Sequence, residues 1–128
     1  MTQTINEPSL DAFVDRYIEM WNNPDPATRR ATIEAQWAAD AGNYTLTMAA
    51  EGLDEIEARV TRAYESYVGT GLHRFRQHVP YVAHHGALRI WWEMVQVADG
   101  DVVALGQEFL VLDREGRIVS DHQFPVAG

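Results

Sequence analysis

Apolar residues recur at helical spacing early in the chain and alternate at strand spacing later. Leu10, Phe13, Val14, Tyr17, Ile18 and Trp21 fall at offsets 0, 3, 4, 7, 8 and 11, one continuous helical stripe. Ser9 stands where an N-cap is expected, and Asp11 and Asp15 follow near the positive end of the helix. Asn22-Asn23-Pro24 ends the helix, because a residue before proline is pushed out of the helical region. Asp25-Pro26 restarts the pattern as a cap followed by a first-turn proline, and predicts a second helix from Pro26 to Trp37. Asn43 to Met48 alternates like a short strand. Ile56, Val60, Ala63, Tyr64 and Tyr67 repeat at helical spacing until Gly69-Thr70-Gly71.

The remainder reads as strand. His73 to Val82 comes first, edged by Pro80, and the turn at His85-Gly86 leads into Leu88–Val97. Asp99-Gly100-Asp101 joins that strand to Val102–Leu112, and Asp113 to Gly116 turns the chain into Arg117–Phe124. Helices early and a meander of strands late indicate an α+β domain with helices on one sheet face. The 128 residues make one domain, 1–128, with residues 1–8 expected as a flexible N-terminal tail.

Composition removes several function classes. A formal charge of −9 argues against nucleic acid and anionic membrane surfaces. Without cysteine there is no disulfide, thiolate nucleophile or cysteine metal site. The first eight residues lack the basic region and apolar run of a secretory signal, and no apolar stretch reaches the length of a membrane span. A cytoplasmic protein is the expectation. His73 and His78 are five apart on a strand and point to opposite faces, and His84 and His85 diverge, so no metal site is expected.

Val102–Leu112 is apolar on both faces. Val103, Leu105, Gln107, Phe109 and Val111 share one; Val102, Ala104, Gly106, Leu110 and Leu112 share the other, with Glu108 its single charge. A strand apolar on both sides is covered on both sides. Helices cover one face and a second copy of the chain is the simplest cover for the other, so a homodimer through the outer sheet face is expected. The acids Glu51, Asp54, Glu55, Glu57 and Glu65 read as a solvated helix face partnered by Arg59 and Arg62. Arg74, Arg76 and His78 form a basic stripe whose simplest reading is pairing with those acids.

Within the first stripe sits one hydroxyl, that of Tyr17. A buried tyrosine needs a partner for its O–H, or it lines a space that a ligand fills. Both readings are open from spacing alone.

Arg16-Tyr17-Ile18-x-x-Trp21-Asn22 with Asp25, Trp37-Ala38-x-Asp40-Ala41, Glu51-Gly52, Leu72-His73-Arg74-Phe75 and Leu112-Asp113-x-x-Gly116-Arg117-Ile118 carry a resemblance across nearly the whole chain. In these motifs the sequence resembles the nuclear transport factor 2-like superfamily, and within it the SnoaL-like group of polyketide cyclases and ketosteroid isomerases. The resemblance implies a cone-shaped α+β barrel, with N-terminal helices packed in a curved, mainly antiparallel sheet around an apolar cavity. It places Tyr17 where the isomerases keep an oxyanion-binding tyrosine, and Gln107 where they keep a protonated aspartate. Their base position falls on Thr45, which cannot serve as a carboxylate base. Asp121 becomes the replacement acid/base, and a one-residue slip of the last strand would substitute His122. Trp21, Tyr44, Phe75, Trp92, Phe109 and Gln123 are the expected ligand contacts, although the aromatic residues would serve equally as core. The implied chemistry is cofactor-free proton abstraction beside a carbonyl in a small, largely apolar molecule. Isomerisation and cyclisation share those needs, and a non-catalytic ligand-binding or scaffolding dimer of the same fold is the alternative.

Overall fold

The computed structural model describes residues 7–126. Two helices, a strand pair, a third helix and four more strands follow in order: α1 (Glu7–Asn22), α2 (Pro26–Gln36), β1 (Trp37–Tyr44), β2 (Ala49–Glu51), α3 (Leu53–Ala63), β3 (His73–His84), β4 (Ala87–Gln96), β5 (Val102–Leu112) and β6 (Ile118–Pro125). The α+β reading holds, whereas the expected helix-first order holds only for α1 and α2, since β1 and β2 precede α3. Helix α1 starts at Glu7, so Ser9 lies in its first turn rather than at its cap. Of the tail expected over 1–8, residues 1–6 lie outside the described residues.

Asp25 caps α2 as its motif predicts, its carboxylate accepting from the Thr28 N–H at 3.2 Å. The boundary after α2 differs from expectation. The alanine-rich run beginning at Trp37 has good helix propensity, yet it forms β1, because strands pair with it on both sides and outweigh that preference. Residues 45–48, expected as strand, form the turn into β2, tied by Thr45 N–H to the Met48 carbonyl at 2.9 Å. Gly52 starts α3 with φ +88°, a conformation that suits glycine. At its far end the helix widens into a π turn over Tyr64–Val68, closed by Gly69 N–H to the Tyr64 carbonyl at 2.7 Å.

The sheet corrects the expected barrel. Its order is β2-β1-β6-β5-β4-β3, an open sheet with edges at β2 and β3 rather than a closed or strongly curled one. It is mixed, since β1 runs parallel to β6 while the other pairs are antiparallel. The α1 stripe explains how the helices sit on it. Val14, Tyr17 and Ile18 bury against Ile33, Ile56 and Val60 of the other helices and against Leu88, Ile90, Leu110 and Ile118 of the sheet. Each such aliphatic side chain contributes roughly 1.5–3 kcal/mol by leaving water. At the end of α1, buried Asn22 bonds both ways with the backbone of Phe75, at 2.7 and 2.8 Å, and fixes the helix to strand β3. Buried Arg29 caps the chain leaving α1 through the Asn23 carbonyl at 2.7 Å.

On β5 the two apolar rows separate. The Gly106, Glu108 and Leu110 row is buried beneath the helices, whereas Phe109 and Val111 are 41% and 43% exposed on the outer face. The basic stripe of β3 lies on that outer side and pairs with Glu93 and Glu19 rather than with the acids of α3.

Candidate functional site

Between the helices and the sheet lies a cavity of about 470 Å³. Helix α1 contributes Tyr17 and Trp21, α3 contributes Arg59, and the π turn contributes Tyr67. Phe75, Trp92, Glu108 and Gln123 line it from the sheet, and the 45–48 turn closes one side. The exposed side chains of Leu46, Met48 and Tyr67 mark its mouth. The volume and the mixture of an apolar wall with a few polar groups suit a small organic molecule.

The polar floor is built around Tyr17. Its side chain is buried between Trp21 and Trp37, with ring centroids 6.3 Å away on each side. The hydroxyl donates to Asp121 Oδ2 and stands 3.2 Å from Glu108 Oε1. One hydroxyl carries one proton, so it cannot donate to both carboxyls. A protonated Glu108 donating to the Tyr17 oxygen, with Tyr17 donating to Oδ2 of ionised Asp121, gives each of the two protons one acceptor, while Asp121 Oδ1 stays buried without a partner. The second Glu108 oxygen accepts from Trp92 Nε1 at 2.9 Å. Gly106 makes this bond possible: the Trp92 ring crosses directly over it, where a Cβ would collide with the indole.

Electrostatics favours the same arrangement. Burial pushes the Glu108 carboxyl well above the usual carboxylate range, and the adjacent Asp121 charge pushes it further. Burial also raises Asp121, while the protonated Glu108 beside it and the hydrogen bond from Tyr17 pull it back down. The Tyr17 phenol is raised by burial and then by the neighbouring carboxylate charges, so it remains a donor. Two carboxyls this close, both removed from water, retain a proton between them. Only Glu108 of the pair lines the cavity; Asp121 sits behind it, fully buried.

The positions expected from sequence divide cleanly. Tyr17 and Asp121 come together, and Trp21, Phe75, Trp92 and Gln123 line the cavity. Gln107 and Phe109 lie on the outer row of β5, away from it, because the alternation of that strand is opposite to the register expected. His122 also faces outward, exposed and stacked on Tyr44 with centroids 5.1 Å apart, and Tyr44 donates to Glu51 at 3.0 Å. The β6 register therefore turns Asp121 inward and His122 out. Thr45 does line the cavity, its hydroxyl accepting from the Thr47 and Met48 N–H groups. Glu108 and Arg59 were missed. The signal for Glu108 was present, a lone charge in an apolar row. Arg59, assigned to a solvated face, instead lies over the Trp21 ring at 5.4 Å and donates to Gln123 Oε1 at 2.9 Å. No group of His, Cys, Asp or Glu among the described residues could hold a metal ion. No described helix is long and apolar enough to cross a membrane.

No family model matches the sequence, and no curated protein does. Solved structures do. A SnoaL-like family protein of Agrobacterium tumefaciens str. C58, described as a candidate isomerase, is 28% identical with a TM-score of 0.81, over 91% of this chain and 96% of its own. The chain is structurally homologous to this SnoaL-like protein. A candidate polyketide cyclase from Sinorhizobium meliloti aligns at TM-score 0.69 and 12% identity, over 94% of this chain and 100% of its own. A SnoaL-like protein from Burkholderia thailandensis e264 gives 0.72 and 14%, over 97% and 100%. At such identities the last two speak for the SnoaL-like fold alone.

Proposed function

We propose that the cavity binds a small, largely apolar carbonyl compound and that Glu108 exchanges a proton with the carbon beside its carbonyl. The observation that carries this reading is the single phenol between two buried carboxyls, one of which reaches the ligand space. Passing one proton from Glu108 to the Tyr17 oxygen, and the Tyr17 proton on to Asp121, leaves Glu108 as the base. The carbon-bound proton then moves to Glu108 and the C–H electron pair becomes the enolate. The same carboxyl returns the proton at the original or a conjugated carbon. Asp121 and Tyr17 position and recharge Glu108 rather than touch the ligand carbon.

A ketone with exchangeable hydrogens tests this. In heavy water, wild-type protein is expected to accelerate deuterium uptake at the α-carbons of 2-tetralone, followed by NMR. Glu108→Gln should lower the catalysed rate about a hundredfold or more. A wild type that binds 2-tetralone without accelerating exchange would instead support a non-catalytic binding protein. Thr45 favours that second reading, since its wall of the cavity offers a hydroxyl already held by the turn and no carboxylate.

We also infer that a second copy of the chain covers the outer sheet face. Val103, Phe109, Val111 and Phe124 are each more than two-fifths exposed there, and Phe109 and Phe124 pack edge to face at 5.6 Å.

A further inference from the structure

We propose that Arg59 is an anion-anchoring residue and that the molecule occupying the cavity carries a carboxylate on its apolar body. This rests on the ligand-binding reading of the cavity and names the class of ligand within it. A guanidinium offers five N–H donors and is always charged. Arg59 has one acceptor, the neutral Gln123 Oε1, and its Nε is buried with none. It forms no ion pair among the described residues, although acids outnumber Lys and Arg nineteen to ten in the sequence. Its charge is felt at Asp121 only through space.

The surroundings hold that cation ready. Trp21 presents its ring face to the guanidinium at 5.4 Å, which fixes its plane and removes water from one side without neutralising it. Because Gln123 spends its carbonyl oxygen on Arg59, its NH2 remains as a second donor. One helical turn on, Arg62 reaches Met48 Sδ at 3.9 Å and so sets a second positive charge beside a lining residue at the mouth. In a chain of formal charge −9, two guanidiniums from one helix at one cavity form a local positive field that draws in anions. A carboxylate meets this set best, since it accepts two parallel N–H bonds from the planar guanidinium.

The test compares 2-naphthoate with 2-naphthamide, which share size and shape but not charge, by calorimetric titration of the full chain. Wild type should bind the acid at least tenfold more tightly than the amide. In Arg59→Met that preference should fall to near one, with amide affinity little changed, while Arg59→Lys should keep part of it. Equal affinity for the two probes in wild type, or a preference that survives in Arg59→Met, overturns the inference and leaves the cavity a neutral-ligand site. Failure of wild type to bind either probe overturns it together with the ligand-binding reading. Circular dichroism of each variant separates lost binding from lost fold.

Discussion

Glu108 of β5 and Asp121 of β6 stand diagonally across neighbouring strands, Glu108 opposite Gln123 and Asp121 opposite Leu110, with the Tyr17 hydroxyl reaching both. Two acids thirteen positions apart in sequence thereby become one titrating unit, removed from water and closed by a phenol from the first helix.

That unit sets a pH dependence of stability with a definite sign. Both carboxyls have folded-state pKa values raised above their unfolded ones. Such a group stabilises the fold fully below the ordinary carboxylate pKa, and the contribution is lost as pH rises through the raised value. Glu93 acts the other way. Its burial opposes ionisation, but hydrogen bonds from His78 and Arg76 prevail and hold its pKa low, so its contribution is lost only as pH falls through that low value. Urea denaturation at a series of pH values should show wild type at its greatest advantage over Glu108→Gln near the ordinary carboxylate pKa. The advantage should shrink steadily towards neutral and alkaline pH. A difference that stays flat, or grows with pH, contradicts the buried pair.

Gly106 tests how Glu108 is held. A methyl group added there would drive into the Trp92 indole and move Nε1 off the Glu108 carboxyl. Gly106→Ala is expected to cost about 1–3 kcal/mol, from overpacking and a weakened buried hydrogen bond. It should also shift the Trp92-dependent fluorescence of the cavity. The control is Gly100→Ala, at a positive-φ turn with open space around it, which should lose stability while leaving that fluorescence unchanged.

How much of this was legible in the chain follows from the range of each interaction. The α1 stripe, the Asp25 cap and the turns at residues 99–101 and 113–116 are local patterns, and each appears where its residues predict. The first part of β1 was not legible, because its alanines prefer helix and only pairing with β2 and, far along the chain, β6 overrides them. The face of β5 was ambiguous for a different reason. Both rows are apolar, so alternation alone could not say which one met the helices, and Gln107 and Phe109 were placed inside. Glu108 resolves it in hindsight: a single carboxyl amid Gly106 and Leu110 is tolerated where Trp92 and Tyr17 bond it. Arg59 was hidden by its helix, whose many acids made a solvated face the simplest reading.

The outer row of β5 carries its own test. Phe109→Glu places a charge in the middle of the exposed apolar strip without touching the cavity. Light scattering at micromolar concentration is expected to give a dimer for wild type and a monomer for Phe109→Glu, with the fold retained. A monomeric wild type contradicts cover by a second copy.

The claim on which the proposed chemistry depends is that Glu108 keeps a proton beside Tyr17 at a pH where ordinary glutamates have lost theirs. Carboxyl carbon-13 labelling of the glutamates, with an NMR titration of wild type and Glu108→Gln, reads this directly. One resonance, absent from the variant, should titrate well above the usual 4.5 while its neighbours do not. If every glutamate in wild type titrates in the ordinary range, the shared proton is not there and the account fails.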